Sequence, residues 1–251
     1  MQNNSKNNQK KVLFVCCTHG DEHVGRFIFD NYPQGKNEYF EWKSIIANPE
    51  AMYLNQRYVD TDLNRSFPGN QQSKKYEERR AAILTDIIKQ YDVVIDIHGA
   101  LCPQEDSIIV TKYNEDIAEQ ISYLDLKHVI HNNSIPGLLV NQAKIGITLE
   151  YGFPERHLDG YRRVEKTILG FLKKEKSKQK KKHYEYFGEL STTIIEKTGL
   201  SLTNFKPLTE KEKTLLGITN QTSIYPYFVG DESIQGIYCD LLVEKNLKEC
   251  V

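Results

Sequence analysis

Residues 11–23 read KVLFVCCTHGDEH. The first seven form a continuous run of β-branched and apolar side chains, the pattern of a strand covered on both faces. The last six, THGDEH, place four side chains able to bind a metal or move a proton directly after that strand. A buried strand that ends in such a cluster predicts an α/β domain with its chemistry at the C-terminal rim of a sheet, where ligands of open α/β sheets bind.

Working outward, SIIAN (44–48, halted by Pro49), DVVIDIH (92–98), DSIIVT (106–111) and IGITLE (145–150) read as further strands. Between them, residues 73–90 read as a helix with Ser73 as N-cap and Ile83, Leu84, Ile87 and Ile88 on one stripe. NEDIAEQISYL (114–124) and DGYRRVEKTILGFLKK (159–174) read as helices capped by Asn114 and Asp159. Interleaved strands and helices predict a largely parallel or mixed sheet flanked by helices. Composition shifts at KKEKSKQKKK (173–182), with seven lysines and one glutamate, and then turns to short β-like pieces: YEYFGELSTTII, SIYPYFV and GIYCDLLVEK. The expected organisation is a disordered tail (1–10), a catalytic α/β domain (11–175), a Lys-rich linker (176–183) and a small C-terminal β domain (184–251).

Bulk composition narrows the function classes. The 251 residues are 39% hydrophobic and 27% charged, as in globular proteins, and the net charge of -1 gives no bias toward nucleic acid or anionic membrane. The lysine run lacks the interleaved aromatics of a nucleic-acid surface and reads as a solvated helix end. No apolar run approaches the ~20 residues of a membrane span, and MQNNSKNNQKK lacks the apolar centre of a signal peptide. The five cysteines include no Cys-x-x-Cys pair, and Cys16 and Cys17 adjoin inside the first apolar run, as small buried hydrophobes would. A cytoplasmic protein acting on a small molecule is expected, and a homo-oligomer is compatible with the sequence.

Polar residues fall at three strand ends: His19 and Glu22 after the first, His98 at the end of DVVIDIH, and Glu150 at the end of IGITLE. Taken singly, each is more commonly a hydrogen-bonding residue, and HGDE alone reads as a turn with an Asx-type bond from Asp21. Together, two imidazoles and a carboxylate with a fourth position for water form a catalytic zinc set, which brings the pKa of bound water to about 7 and polarises carbonyls. His19 to His23 also spells H-x-x-E-H, a zinc motif that requires a helix. The preceding strand and Gly20 argue against one there.

The Pro/Gly-bounded stretch NQRYVDTDLNRSFPG (55–69) shows no helical stripe and carries Arg57, Asn64 and Arg65. With THGDEHVG, ANPEA, DIHG and LEYG, in this order and spacing, it resembles the aspartoacylase and succinylglutamate desuccinylase family of the zinc carboxypeptidase superfamily. NFKPL (204–208) and IYPYFV (224–229) look like C-terminal segments of that family. The resemblance implies a zinc-carboxypeptidase-like fold and one Zn2+ held by His19, Glu22 and His98. It further implies Arg57 polarising the scissile carbonyl, Asn64 and Arg65 holding the substrate carboxylate, Glu150 as general base, and Tyr238 as a C-terminal substrate contact. The implied reaction is hydrolysis of an N-acyl amino acid or similar small amide. The competing readings are a metallocarboxypeptidase acting on peptides and a non-catalytic binding module on the same fold. Departures are Asp21 and Gly99, where the family commonly has Asn, and the absence of an arginine from IPGLLVNQAKIGITLE, where Lys144 is the only cation. A second carboxylate on the substrate then has no evident partner.

Overall fold

The computed structural model describes residues 9–100, 102, 105–152, 158–219, 222–231 and 236–246; part of the expected N-terminal tail lies outside them. In chain order the elements are β1 (Lys10–Cys16), α1 (Arg26–Asn31), β2 (Gln34–Lys36), β3 (Phe40–Ile46), α2 (Pro49–Leu54), α3 (Tyr76–Ile88), β4 (Val93–Ala100) and β5 (Ser107–Val110). There follow α4 (Glu115–Ile121), β6 (His128–His131), β7 (Ile145–Gly152), α5 (Leu158–Leu172), β8 (Lys182–Ser191), α6 (Thr192–Thr198), α7 (Glu210–Leu215), β9 (Ile224–Tyr227) and β10 (Ile237–Lys245). All ten strands join one sheet in the order β2-β3-β1-β4-β7-β5-β6-β8-β10-β9. The expected mixed α/β sheet flanked by helices is the observed one.

The apolar run of β1 serves two cores because alternate strand residues face opposite sides. Val12, Phe14 and Cys16 pack with Phe40, Ile95 and Phe171, whereas Leu13 and Val15 pack on the other face with Ala81, Leu84 and Ile88 of α3. Strands β3 and β4 flank β1 in parallel, and β7 lies parallel to β4 with His98 opposite Glu150. That register brings the ends of β1, β4 and β7 to one rim.

Helix α3 departs from expectation at both levels. It begins at Tyr76 rather than beside Ser73, and its first N–H is capped from a distance, by Asp60 Oδ2 accepting from Tyr76 N at 2.7 Å. Ile83 faces outward at 49% exposure, since the buried stripe runs through Glu77, Ala81, Leu84, Thr85 and Ile88. A carboxylate on the inward face shifts the stripe from the one the apolar residues alone indicate. Asn114 caps α4 as expected, its side chain accepting from Ile117 N, but Asp159 lies inside the first turn of α5 rather than before it.

Strand β6 is absent from the sequence reading because histidines bound its two apolar residues, HVIH. It is nonetheless the link to the C-terminal part: β8 pairs in parallel with β6, from His128↔Lys182 to His131↔Glu185. Strands β8, β10 and β9 then continue the sheet antiparallel, with α6 and α7 beside them. The Lys-rich stretch is pinned before β8, where Ser122 O accepts from Ser177 N and Lys127 O accepts from Lys182 N, at 2.8 and 2.9 Å. The four described cysteines, Cys16, Cys17, Cys102 and Cys239, are buried free thiols. Among the described residues, no helix is long and apolar enough to cross a membrane.

Candidate metal centre and active site

His19 and Glu22 lie on the turn after β1, where Glu22 N donates to His19 O at 3.2 Å. Cys17, just before it, sits in the left-handed region at φ 52, a conformation the surrounding structure must hold in place. Gly20 allows the turn to lie against another chain segment: a Cβ there would be 2.1 Å from Ala51 C and 2.4 Å from Gln56 O. Gly20 N donates to Arg57 O at 3.1 Å, so the same contact sets the position of Arg57.

The β4 end brings His98 to this turn. Glu22 is gripped from both sides: Oε1 lies 2.7 Å from His19 Nδ1 and Oε2 lies 2.9 Å from His98 Nδ1. Oε2 also accepts from Gly99 N at 3.1 Å, and Arg57 Nη1 donates to Oε1 at 3.2 Å. Each imidazole turns its other nitrogen to a carboxylate, His19 Nε2 to Asp62 Oδ1 at 3.2 Å and His98 Nε2 to Asp96 Oδ2 at 2.8 Å. Asp96 is fixed in turn by Thr18 Oγ1 at 2.7 Å. With the Nε2 protons given to Asp62 and Asp96, both Nδ1 atoms present lone pairs beside the Glu22 carboxylate, and an imidazole backed by a carboxylate is the arrangement seen around metal-bound histidines. Ligand atoms of His19, Glu22 and His98 lie within 4.8 Å of one another, and all three side chains are buried. They are the only such group among the described residues.

Electrostatics agree with a cation at that point. Burial would lower the His19 and His98 pKa values, but Glu22 with Asp62 and Asp96 with Glu22, respectively, outweigh it and hold both raised. Burial would raise Glu22, yet the two imidazoles keep it well below the usual carboxylate range. The donor set therefore fits a divalent ion such as zinc.

A cavity of about 520 Å³ opens over these residues. Glu150, opposite His98 on β7, is buried in its wall, and burial, reinforced by the charges of Glu22 and Asp231, pushes its carboxyl well above the usual range. Arg57, Asn64, Arg65 and Tyr238 line the same cavity, so every site residue read from sequence meets there. Asn64 Oδ1 accepts from Leu139 N at 2.9 Å and Arg65 Nη1 donates to Asn64 O at 2.8 Å. Lys144 and Lys206 are exposed and line no part of this cavity. His23 stands apart, its Nε2 2.7 Å from Asn55 Oδ1, and a short 3-10 turn starts there, so the helical H-x-x-E-H arrangement is absent. Asp21 forms no Asx-type bond: its Oδ1 is buried with no hydrogen-bond partner among the described residues.

The model of the succinylglutamate desuccinylase/aspartoacylase catalytic domain matches residues 8–156, more than half of the chain. The chain belongs to this family. A probable aspartoacylase of Trichodesmium erythraeum is 28% identical over 162 residues, covering 57% of this chain and 55% of that protein. The aspartoacylase of Rattus norvegicus is 27% identical over 198 residues, 66% of this chain and 63% of its own length. The chain thus spans little more than half the length of the curated relatives it matches. Among solved structures, murine aminoacylase 3 superposes with a TM-score of 0.74 at 16% identity, covering 94% of this chain and 95% of that one. The succinylglutamate desuccinylase of Chromobacterium violaceum superposes at 0.73 with 17% identity, covering 98% and 88%. Both likenesses show the desuccinylase/aspartoacylase fold.

Sequence reading missed residues that the fold adds. Asp96 had a signal, since it lies two before His98 on one strand and must share its face. Asp62, in the loop that carries Arg57, had none. Neither had Tyr186, Glu189, Tyr227, Asp231 and Asp240, which line the cavity from the C-terminal part.

Proposed function

We propose that the protein is a zinc-dependent amidohydrolase that removes the acyl group from an N-acyl amino acid or similar small amide. The observation that carries this reading is the convergence of a two-histidine, one-carboxylate donor set, a buried high-pKa glutamate and two arginines on one cavity. A zinc ion held by His19, Glu22 and His98 would supply a Lewis acid that activates water and polarises the amide carbonyl. Arg57 faces the developing oxyanion and stabilises it with a fixed positive charge. Arg65 and Asn64 orient the substrate through its carboxylate, where a planar guanidinium can bond both oxygens. Glu150 takes the proton of the attacking water and delivers it to the departing amine.

The test is a screen of Nα-acyl amino acids with zinc-loaded protein, following amine release, beside a set of short unblocked peptides. Hydrolysis of the acyl amino acids supports the reading. Release of C-terminal residues from peptides alone would make the protein a metallocarboxypeptidase, and no bound zinc with no turnover would leave a binding module.

A further inference from the structure

The wall of the cavity that β8 and β10 supply is acidic. Glu189 on β8 and Asp240 on β10 lie directly opposite each other in the antiparallel ladder, and both line the cavity with Asp231. Like charges opposite one another across a strand pair are destabilising. Among the described residues no Lys, Arg or His forms an ion pair with Glu189 or Asp240; Glu189 has the Tyr186 hydroxyl as a neighbour, and Arg65 acts on Asp240 only from beyond ion-pair distance. Burial, with the charges of Glu189 and Asp231 adding, pushes the Asp240 carboxyl up to about 7.

The cavity thus carries both signs of charge: Arg57 and Arg65 beside the metal donors, and the carboxylates of Glu189 on β8 and Asp240 on β10, with Arg65 near enough to act on Asp240. These acids do not form a second metal site, because the only described group with three ligand atoms within 4.8 Å is His19, Glu22 and His98. A cation spread along a ligand, rather than a bare ion, suits their spacing. We propose that Glu189 and Asp240 select a substrate with a positively charged side chain, so that the preferred class is the Nα-acyl derivatives of basic amino acids. The inference rests on the deacylase reading for its chemistry. Such a substrate carries an anion for Arg65 and Asn64 and a cation for Glu189 and Asp240. An acidic side chain would meet uncompensated carboxylates there and be rejected, since specificity is built from repulsion as well as attraction.

Two readouts separate charge selection from catalysis: calorimetric binding of free lysine, norleucine and glutamate to zinc-loaded protein, and kcat/KM for their Nα-acetyl derivatives. Lysine and norleucine are similar in length and differ in charge. Lysine is expected to win by about tenfold or more in both readouts, and glutamate to rank last, as a close pair of opposite charges commonly couples by at least that factor. Asp240→Asn and Glu189→Gln should each lower the lysine-to-norleucine ratio severalfold while melting no earlier than the parent, because each relieves the cross-strand repulsion. A ratio near one in the parent, or one unchanged in both variants, overturns the inference. Equal hydrolysis of all three derivatives would refute charge selection and leave the deacylase reading intact. Preferential lysine binding without hydrolysis of any derivative would do the reverse.

Discussion

Glu77, in the first turn of α3, is fully buried and lines no part of the cavity. Its Oε1 accepts from Val59 N at 2.6 Å and Asn48 Nδ2 at 3.2 Å, and its Oε2 accepts from Asp60 N at 2.9 Å and Thr61 N at 3.1 Å. Three successive N–H groups of the 57–65 loop thus converge on one carboxylate, and that loop carries Arg57, Asp62, Asn64 and Arg65. Glu77→Gln keeps shape and volume but replaces one acceptor oxygen with an amide that only donates. Whichever way the amide turns, two partly or fully buried donors lose their acceptor, at about 1–3 kcal/mol each. The expected cost is therefore about 2–6 kcal/mol, and with roughly 2–4 °C per kcal/mol for a chain of this size, Tm should fall by at least ~4 °C. Part of the strain should be relieved by local opening of the loop rather than by global unfolding. In the zinc-loaded variant, KM for an N-acyl amino acid should then rise by tenfold or more. Differential scanning fluorimetry and steady-state kinetics on the same preparation would decide. A variant that melts within 1 °C of the parent (a shift worth roughly 0.5 kcal/mol) and keeps KM would refute the claim that Glu77 organises the loop.

Further outcomes follow from the same geometry. His98→Ala should lose bound zinc and activity together, since it leaves two protein ligands; full zinc occupancy by elemental analysis would contradict the assignment. Glu150→Gln should retain zinc while kcat falls by roughly 10²–10⁴, the usual worth of a positioned acid–base group, and activity within a few-fold of parent would place the base elsewhere. In metal-free protein, His98 holds its proton more tightly folded than unfolded, so its stabilisation is full below an unfolded value of about 6.5 and is lost as pH rises through the higher folded value. Tm measured with chelator should decline across that window, and zinc, which replaces the proton, should restore it more strongly the higher the pH.

The parts of the fold legible from sequence are those where local pattern and tertiary environment agree. The double-sided burial of β1 and β4 shows as unbroken apolar runs, and residues at strand ends can be placed on a common rim from those runs alone. The motif in residues 55–69 shows which family supplies the chemistry, but not why the loop is rigid, because Glu77 lies on another element and looks like one more helix-surface acid. Strand β6 is hidden because its ends are histidines, and His131 meets another, with Nε2 3.1 Å from His183 Nδ1. The acidic wall was illegible for a different reason. Glu189 and Asp240 become neighbours only through the β8–β10 register, which skips at bulges that no periodicity reveals.

The parallel pairing of β6 with β8 implies a natural crossover point in the chain. All candidate groups for bond cleavage lie between His19 and Glu150, inside the matched stretch of residues 8–156, whereas Glu189, Asp231 and Asp240 lie beyond it. The seam between the two stretches is a backbone ladder, which asks for an extended strand, plus a few side-chain contacts: Ser107 with Tyr227, His128 with Phe205 and His131 with His183. A C-terminal segment from another family member, grafted in at residue 182, would need to pair with β6 and meet those few contacts to place its own side chains over an unchanged metal centre. Cleavage and choice of substrate would then be free to evolve on separate schedules.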